Sequence, residues 1–314
     1  MAYLAERYIN PLTDFGFKRL FGTEPNKDLL IDFLNVVLPE THRIQDLAFR
    51  NNENIGNTLI DRKAIFDIYC ESEAGERFIV EMQKAKQNYF KDRSVYYSTF
   101  PIQEQAKHGD WNYKLSAVYT VGILDFVFDD HKSDPTIKHV IELKNQCCEV
   151  FYDKLKFIYI ELPKFTKTLD ELESHYDKWL FLLRHLYQLD DKPEILQGEV
   201  FNRLFEVAEI AQFSRVERQA YEDSLKYYRD MQNVVGTSRE EGREEGLQEG
   251  LERGRQEGIV AGREEGRQEG IAAGMRTVAL NMLREHVPLD LISRTTGLSV
   301  QLLEELQQRL SQRD

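Results

Sequence analysis

Between residues 13 and 38, apolar side chains recur at helical spacing: Phe17, Leu20, Phe21, Leu29, Leu30, Phe33, Leu34 and Val37. The run is broken at residues 22–25 by Gly22 and Pro25, so the 3.6-residue period predicts two short helices joined by a turn. The period then changes to two. Residues 60–70 and 77–83 alternate apolar and polar positions, and Glu73, Ala74, Gly75 and Glu76 between them carry turn chemistry. That pattern predicts a β-hairpin with strands of roughly five to seven residues. On it Phe66 and Ile68 point one way and Asp67 the other, while Val80 and Met82 oppose Glu81 and Gln83. One carboxylate from each strand then shares a polar face.

Helical spacing returns over residues 90–109, a predicted helix bearing Arg93, Tyr96, Tyr97, Gln103 and Gln105. Residues 115–128 are nearly continuously apolar, as a strand covered on both faces should be, and are the best candidate for a central strand. Further strands are predicted at 140–143, 149–152 and 157–161. Helices follow at 169–189, with Trp179, Leu180, Leu182 and Leu183 turned inward, and at 200–231.

The pattern changes abruptly after this. From Gly242 to Gly274 a glycine stands at every fourth position, nine in all and half of the chain's 18, separated mostly by Glu, Arg and Gln. A period near 3.6 keeps these glycines on one slowly drifting helical face. Each costs a helix about 0.8–1 kcal/mol relative to Ala. The segment is therefore either a helix whose bare stripe is covered by a partner backbone or a flexible, charged tether. The last stretch, 275–314, reads as two or three short helices with a turn at Thr296, Gly297, Leu298 and Ser299. It superficially resembles a helix-turn-helix, but its second helix offers Gln301, Glu304 and Glu305, a poor match to phosphates or base edges. A small helical packing cap is the better reading. The expected partition is 1–235, 236–274 and 275–314.

Composition narrows the function. At 314 residues with 41% hydrophobic content, the chain can bury one substantial α/β domain plus a smaller module. A net charge of -13 excludes a surface that is basic all over, so contact with nucleic acid needs a local patch or metal-bridged phosphates. The three cysteines, Cys70, Cys147 and Cys148, lack zinc spacing, and the adjacent pair reads as strand packing. No export signal or run of about 18 apolar residues is seen, which predicts a soluble, cytoplasmic protein with no membrane contact.

The ordered segments TDFGFKRLFG, DRKAIFDIYCE, FIVEMQ, RSVYYS, IYIELPKF and DKWLFLL, over about residues 9–235, resemble the Rpn family of recombination-promoting nucleases and transposases in the PD-(D/E)XK superfamily. The glycine-repeat tail is similar to that family's as well. The resemblance implies a restriction-endonuclease-like α/β core, a mixed sheet flanked by helices, with Asp67 and Glu81 as metal carboxylates. It also implies metal-dependent hydrolysis of DNA with little sequence specificity, promoting recombination. Two hard anionic oxygens suit Mg²⁺, with Mn²⁺ as a substitute. The backbone carbonyl of Met82 is a further candidate ligand.

Superfamily members usually carry Lys where this chain has Gln83, which supplies neither a cation nor a base. Lys63, four residues before Asp67, is the first candidate for the missing charge and Lys84 the second. Asp14 and Lys18, one helical turn apart, would add a carboxylate ligand and a phosphate contact, and Arg93 and Gln105 would contact substrate. Asp134, Pro135, Glu142 and Lys144 spell a literal PD and ExK, but eight positions between Asp134 and Glu142 leave little room for a hairpin. The seven histidines show no H-x-x-x-H or H-N-H spacing, which argues against a histidine-based nuclease or zinc enzyme. A dimer through the glycine stripe is expected. The alternative function is a catalytically inactive DNA-binding or self-assembling protein, and an RNA-directed nuclease shares the same phosphodiester chemistry.

Overall fold

The computed structural model describes residues 6–39, 43–51, 53–54, 64–106 and 112–311. Eight strands occur among them: β1 (Leu47–Phe49), β2 (Glu53–Asn54), β3 (Ala64–Ile65), β4 (Ile68–Ser72), β5 (Arg77–Gln83), β6 (Val118–Leu124), β7 (Lys138–Lys144) and β8 (Val150–Glu161). β2 and β3 pair only with each other, and the rest form one sheet in the order β1-β4-β5-β6-β8-β7. The β5–β6 and β6–β8 pairs are parallel, while β1–β4, β4–β5 and β7–β8 are antiparallel. β6 lies between two parallel neighbours and all seven of its residues are buried, which explains its unbroken apolar run. The strand is shorter than residues 115–128, and the two strands expected at 149–152 and 157–161 are one continuous β8.

Helices α1 (Asp14–Phe21), α2 (Lys27–Val37), α3 (Phe90–Gln103), α4 (His175–His185) and α5 (Glu199–Ala208) flank this mixed sheet. The helix expected over 200–231 is broken over residues 209–214, where α5 has ended at Ala208 and a single 3-10 turn follows, and α6 (Arg215–Arg284) begins just after. One face of the sheet, with Phe78, Val80, Met82, Tyr119, Val121, Ile123 and Ile158, packs against α1, α2, α4 and α5 in the main core. The opposite face, with Ile79, Leu124, Phe157 and Tyr159, packs against Phe90 and Phe100 of α3. Alternation along each strand therefore separates a large apolar layer from the layer that carries Glu81 and Gln83.

Trp179 on α4 anchors the main core, fully buried against Phe21, Phe33 and Phe201. Its indole N–H donates to Asp32 Oδ2 at 2.7 Å. Trp179→Ala is expected to cost about 3–5 kcal/mol through the cavity and the lost bond, read from the midpoint of urea unfolding.

The chain divides into two compact units, Met1–Gly236 and Thr237–Asp314. In the second, α7 (Leu289–Thr296) and α8 (Val300–Ser311) form a small core with the end of α6 from Ala279, Leu283, Ile292 and Leu303. Gly297, at φ 71, ends α7 in the left-handed conformation that lets the chain turn into α8. Gln301, Glu304 and Glu305 stay exposed. No described helix is long and apolar enough to cross a membrane.

Candidate active site at the end of the sheet

The parallel register aligns Glu81 of β5 with Gly122 of β6 and Tyr159 of β8, and Gln83 with Leu124 and Glu161. Laterally aligned residues of parallel strands point to the same face, here the face under α3. Glu81 is only 5% exposed. Its neighbours are the Gln83 amide, 3.4 Å from Oε2, and the Arg93 guanidinium of α3, 3.9 Å from the same oxygen. Burial, and next the negative charge of Asp67, push the Glu81 carboxyl up to about 7, against the opposing pull of Arg93 and Gln83. A buried carboxylate so short of compensating positive charge fits a divalent cation.

Asp67 is not inside a strand, because β4 begins one residue later at Ile68. The last β4–β5 pair is Ile68↔Val80, so Asp67 follows the register to the position opposite Glu81. A bend there turns its carboxylate toward the backbone, where Oδ2 accepts the Met82 N–H at 2.9 Å. Burial raises its pKa, Met82 and the charges of Lys18 and Lys84 lower it, and Asp14 raises it. Within a strand a residue's N–H and C=O point to the same side, so the Met82 carbonyl also faces Asp67.

Gly122 keeps this row flat. A Cβ there would fall 2.9 Å from the ring of Tyr159, whose hydroxyl donates to Ser94 of α3 at 2.8 Å. Gly122→Val is expected to cost about 1–3 kcal/mol by overpacking and to lower activity by shifting Tyr159, α3 and Arg93. Thermal unfolding and cleavage rates of the variant, measured together, check this.

The other sequence-derived candidates divide clearly. Asp14 and Lys18 form an exposed pair at 3.0 Å on α1, where Gly16 is required because a Cβ would sit 2.2 Å from the Asn10 carbonyl. Lys84, half-buried, has its pKa lowered by burial while the charges of Asp14 and Asp67 oppose that shift, and its ammonium sits 5.2 Å from the Tyr227 ring centroid. Lys63 lies outside the described residues. Arg93 also stacks over Phe90 and Tyr97.

Gln105 is a correction. α3 ends at Gln103 rather than near 109, and the Gln105 amide bonds the backbone of Pro101 and Ser116. Ser116 precedes β6, at the end of the sheet opposite Gln83, so Gln105 clamps a loop rather than meeting substrate. Cys147 and Cys148 are likewise exposed in the turn between β7 and β8, not packed in a strand. In the literal PD and ExK string, Asp134 accepts the Thr136 N–H and Glu142 pairs with Lys156 at 2.8 Å, both in roles local to the edge of the sheet.

The sequence reading missed a second cluster. His131 and His139 both approach Glu161, and the three can hold a metal ion among the described residues. Their separations along the chain match no zinc pattern; the register of β7 and β8 brings His139 beside Glu161, and the turn after β6 brings His131 to the same carboxylate.

A family model described as PD-(D/E)XK nuclease family transposase matches residues 11–238. No curated protein and no solved structure matches the chain. The match runs from the turn before α1 into α6 and takes in the whole mixed sheet with its flanking helices. The chain therefore belongs to the PD-(D/E)XK nuclease family transposases, and its function is of the nuclease and transposase kind.

Proposed function

We propose that the chain is a metal-dependent endodeoxyribonuclease that hydrolyses DNA phosphodiesters with little base specificity and assists recombination. The observation that carries this reading is the pairing of Asp67 and Glu81 at one end of the sheet, with Glu81 buried and held up to about 7. Asp67 and Glu81 would hold Mg²⁺ or Mn²⁺, with Asp14 as an outer carboxylate. Such an ion, when bound, polarises a phosphoryl oxygen and lowers the pKa of water. Lys63 or, among the described residues, Lys84, which feels the charges of Asp14 and Asp67, would supply the positive charge that Gln83 cannot. Gln83 orients Glu81 through its amide, Arg93 holds α3 against Glu81 and contacts a phosphate, and Lys18 contacts the backbone of the DNA.

The three-part division of the chain, with the glycine stripe joining two copies, belongs to the same proposal. It is supported by the stripe's openness: an added Cβ at any glycine from Gly242 to Gly274 meets nothing within 4 Å. Plasmid nicking by wild type and Asp67→Ala, with Mg²⁺, Mn²⁺ or EDTA, tests the enzyme. Cleavage that needs metal and is lost in the variant supports it. No cleavage by folded wild type moves the reading to a binding or self-assembling protein, and an RNA substrate run alongside separates the two nucleic acids.

A further inference from the structure

We propose that His131, His139 and Glu161 form a Zn²⁺ site at the rim of the sheet, separate from the Asp67–Glu81 pair and chosen by different ligand chemistry. His131 stands in a short turn after β6, His139 is the second residue of β7, and Glu161 is the last of β8. Three elements thus converge on one point, and the ligand atoms all lie within 4.8 Å of one another.

The spacing suits the ion. His131 Nδ1 is 3.2 Å from Glu161 Oε1, and His139 Nε2 is 3.2 Å from Oε2. Tetrahedral zinc with bonds of about 2.0–2.2 Å separates its ligand atoms by about 3.3–3.5 Å; the two nitrogens meet different oxygens and the set spans up to 4.8 Å, so the rings must close in by about 1 Å for the ion to take one nitrogen from each and one oxygen. The two imidazoles are stacked, with centroids 4.1 Å apart and planes at 24°, and present one nitrogen each to the carboxylate.

Glu161 is fully buried and held from behind by the Phe128 N–H at 2.8 Å and the Lys164 ammonium at 2.5 Å. A carboxylate has about four acceptor positions, so these two contacts can stay while the ion takes the positions facing the imidazoles. Binding then asks also that each neutral ring carry its proton on the other nitrogen. For His131 that nitrogen faces the Asp130 carboxylate at 4.0 Å, too long for a hydrogen bond, and Asp130 is held by Lys91 at 2.7 Å.

Two imidazoles and one carboxylate leave a fourth position open, as in zinc sites that bind water or substrate. Nitrogen donors favour Zn²⁺ over Mg²⁺, whereas the all-oxygen pair at Asp67 and Glu81 favours the harder ion. Glu161 shares its row with Leu124 and Gln83, two strand spacings across and two residues along from Glu81, so about 12 Å separates Glu161 from Glu81 on the same face. The turn carrying His131 also walls a cleft of about 550 Å³ lined by Tyr89, Phe90 and Lys91, so an ion here would fix that wall.

The test is metal binding by the full chain after stripping with chelator, titrated with Zn²⁺ and, for its visible spectrum, with Co²⁺. The Asp67→Ala, Glu81→Ala double variant is expected to keep one Zn²⁺ per chain and the intense bands of tetrahedral cobalt. His131→Ala and His139→Ala should each weaken Zn²⁺ by about a hundredfold or more and bleach those bands. His139→Cys should restore binding with a thiolate-to-cobalt absorption, showing that the alanine variant loses a ligand and not its fold. No binding by wild type, an unchanged spectrum in the histidine variants, or loss of the ion in the carboxylate variant would each overturn the site.

Discussion

Glu81→Gln is expected to abolish metal-dependent cleavage and, at the same time, to make the metal-free protein more stable at pH 8. In the proposed metal role, loss of Glu81 removes several kcal/mol of charge stabilisation and lowers the rate by about a thousandfold or more, since each 1.36 kcal/mol is a factor of ten. The stability effect has the opposite sign to that of an ordinary paired carboxylate. The folded-state pKa of Glu81 is raised to about 7 from 4.5, so the folded chain holds a proton that the unfolded chain has already released. Above pH 7 both states are ionised and the folded state bears the full cost. As pH falls from 7 to 4.5 that cost disappears, and below 4.5 nothing further is gained.

A shift of this size corresponds to on the order of 3 kcal/mol. Asp67, also raised, acts in the same direction. Urea unfolding of wild type and Glu81→Gln should therefore diverge at pH 8 and converge near pH 4.5. Mg²⁺ should stabilise the wild type at pH 8 and leave the variant unmoved. A variant that still cuts plasmid would remove Glu81 from the chemistry, and parallel stability curves would show that its carboxylate is already compensated.

Replacing Gly246, Gly250, Gly254 and Gly258 with Ala should raise the local stability of α6 by about 3–4 kcal/mol, because each helical glycine costs about 0.8–1 kcal/mol. None of the four new Cβ atoms meets a neighbour within 4 Å. The melting of the 222 nm helical signal at low protein concentration reads this gain. The same four methyl groups should weaken association about tenfold if the stripe is the seam between two copies, since they hold the backbones apart. Sedimentation equilibrium measures that second effect, and Gly→Leu at the same positions should abolish it. Dimer affinity indifferent to leucine would place the seam elsewhere.

Local chemistry made much of the nuclease-like unit readable in advance. Gly22 and Pro25 separated α1 from α2, the turn residues 73–76 delivered the β4–β5 hairpin, and the apolar run around Val121 identified the central strand. Period and turn propensity act over a few residues, so they survive whatever the rest of the chain does. Element ends were less legible. α3 stops at Gln103, and Gln105, expected on a helix face toward substrate, instead accepts the Ser116 N–H just before β6. Lys63, ranked first from its spacing along a strand, lies outside the described residues, while the charges that act on Lys84 come from Asp14 on α1 and from the bend at Asp67.

The sequence by itself determined the mixed α/β core and the family resemblance, because the order of segments, their periods and their turns are local, whereas the strict alternation expected around Asp67 fails at a bend that sends Phe66 to the α3 face and leaves Ile68 in the main core. Only the tertiary structure decided how buried Glu81 is, that Asp67 turns to the Met82 amide, and that Tyr159 fills the space left by Gly122. It alone joined His131, His139 and Glu161. The reason is range: alternation and turn chemistry are written in neighbouring residues, whereas desolvation and the meeting of side chains from different strands depend on register between segments that the sequence keeps far apart.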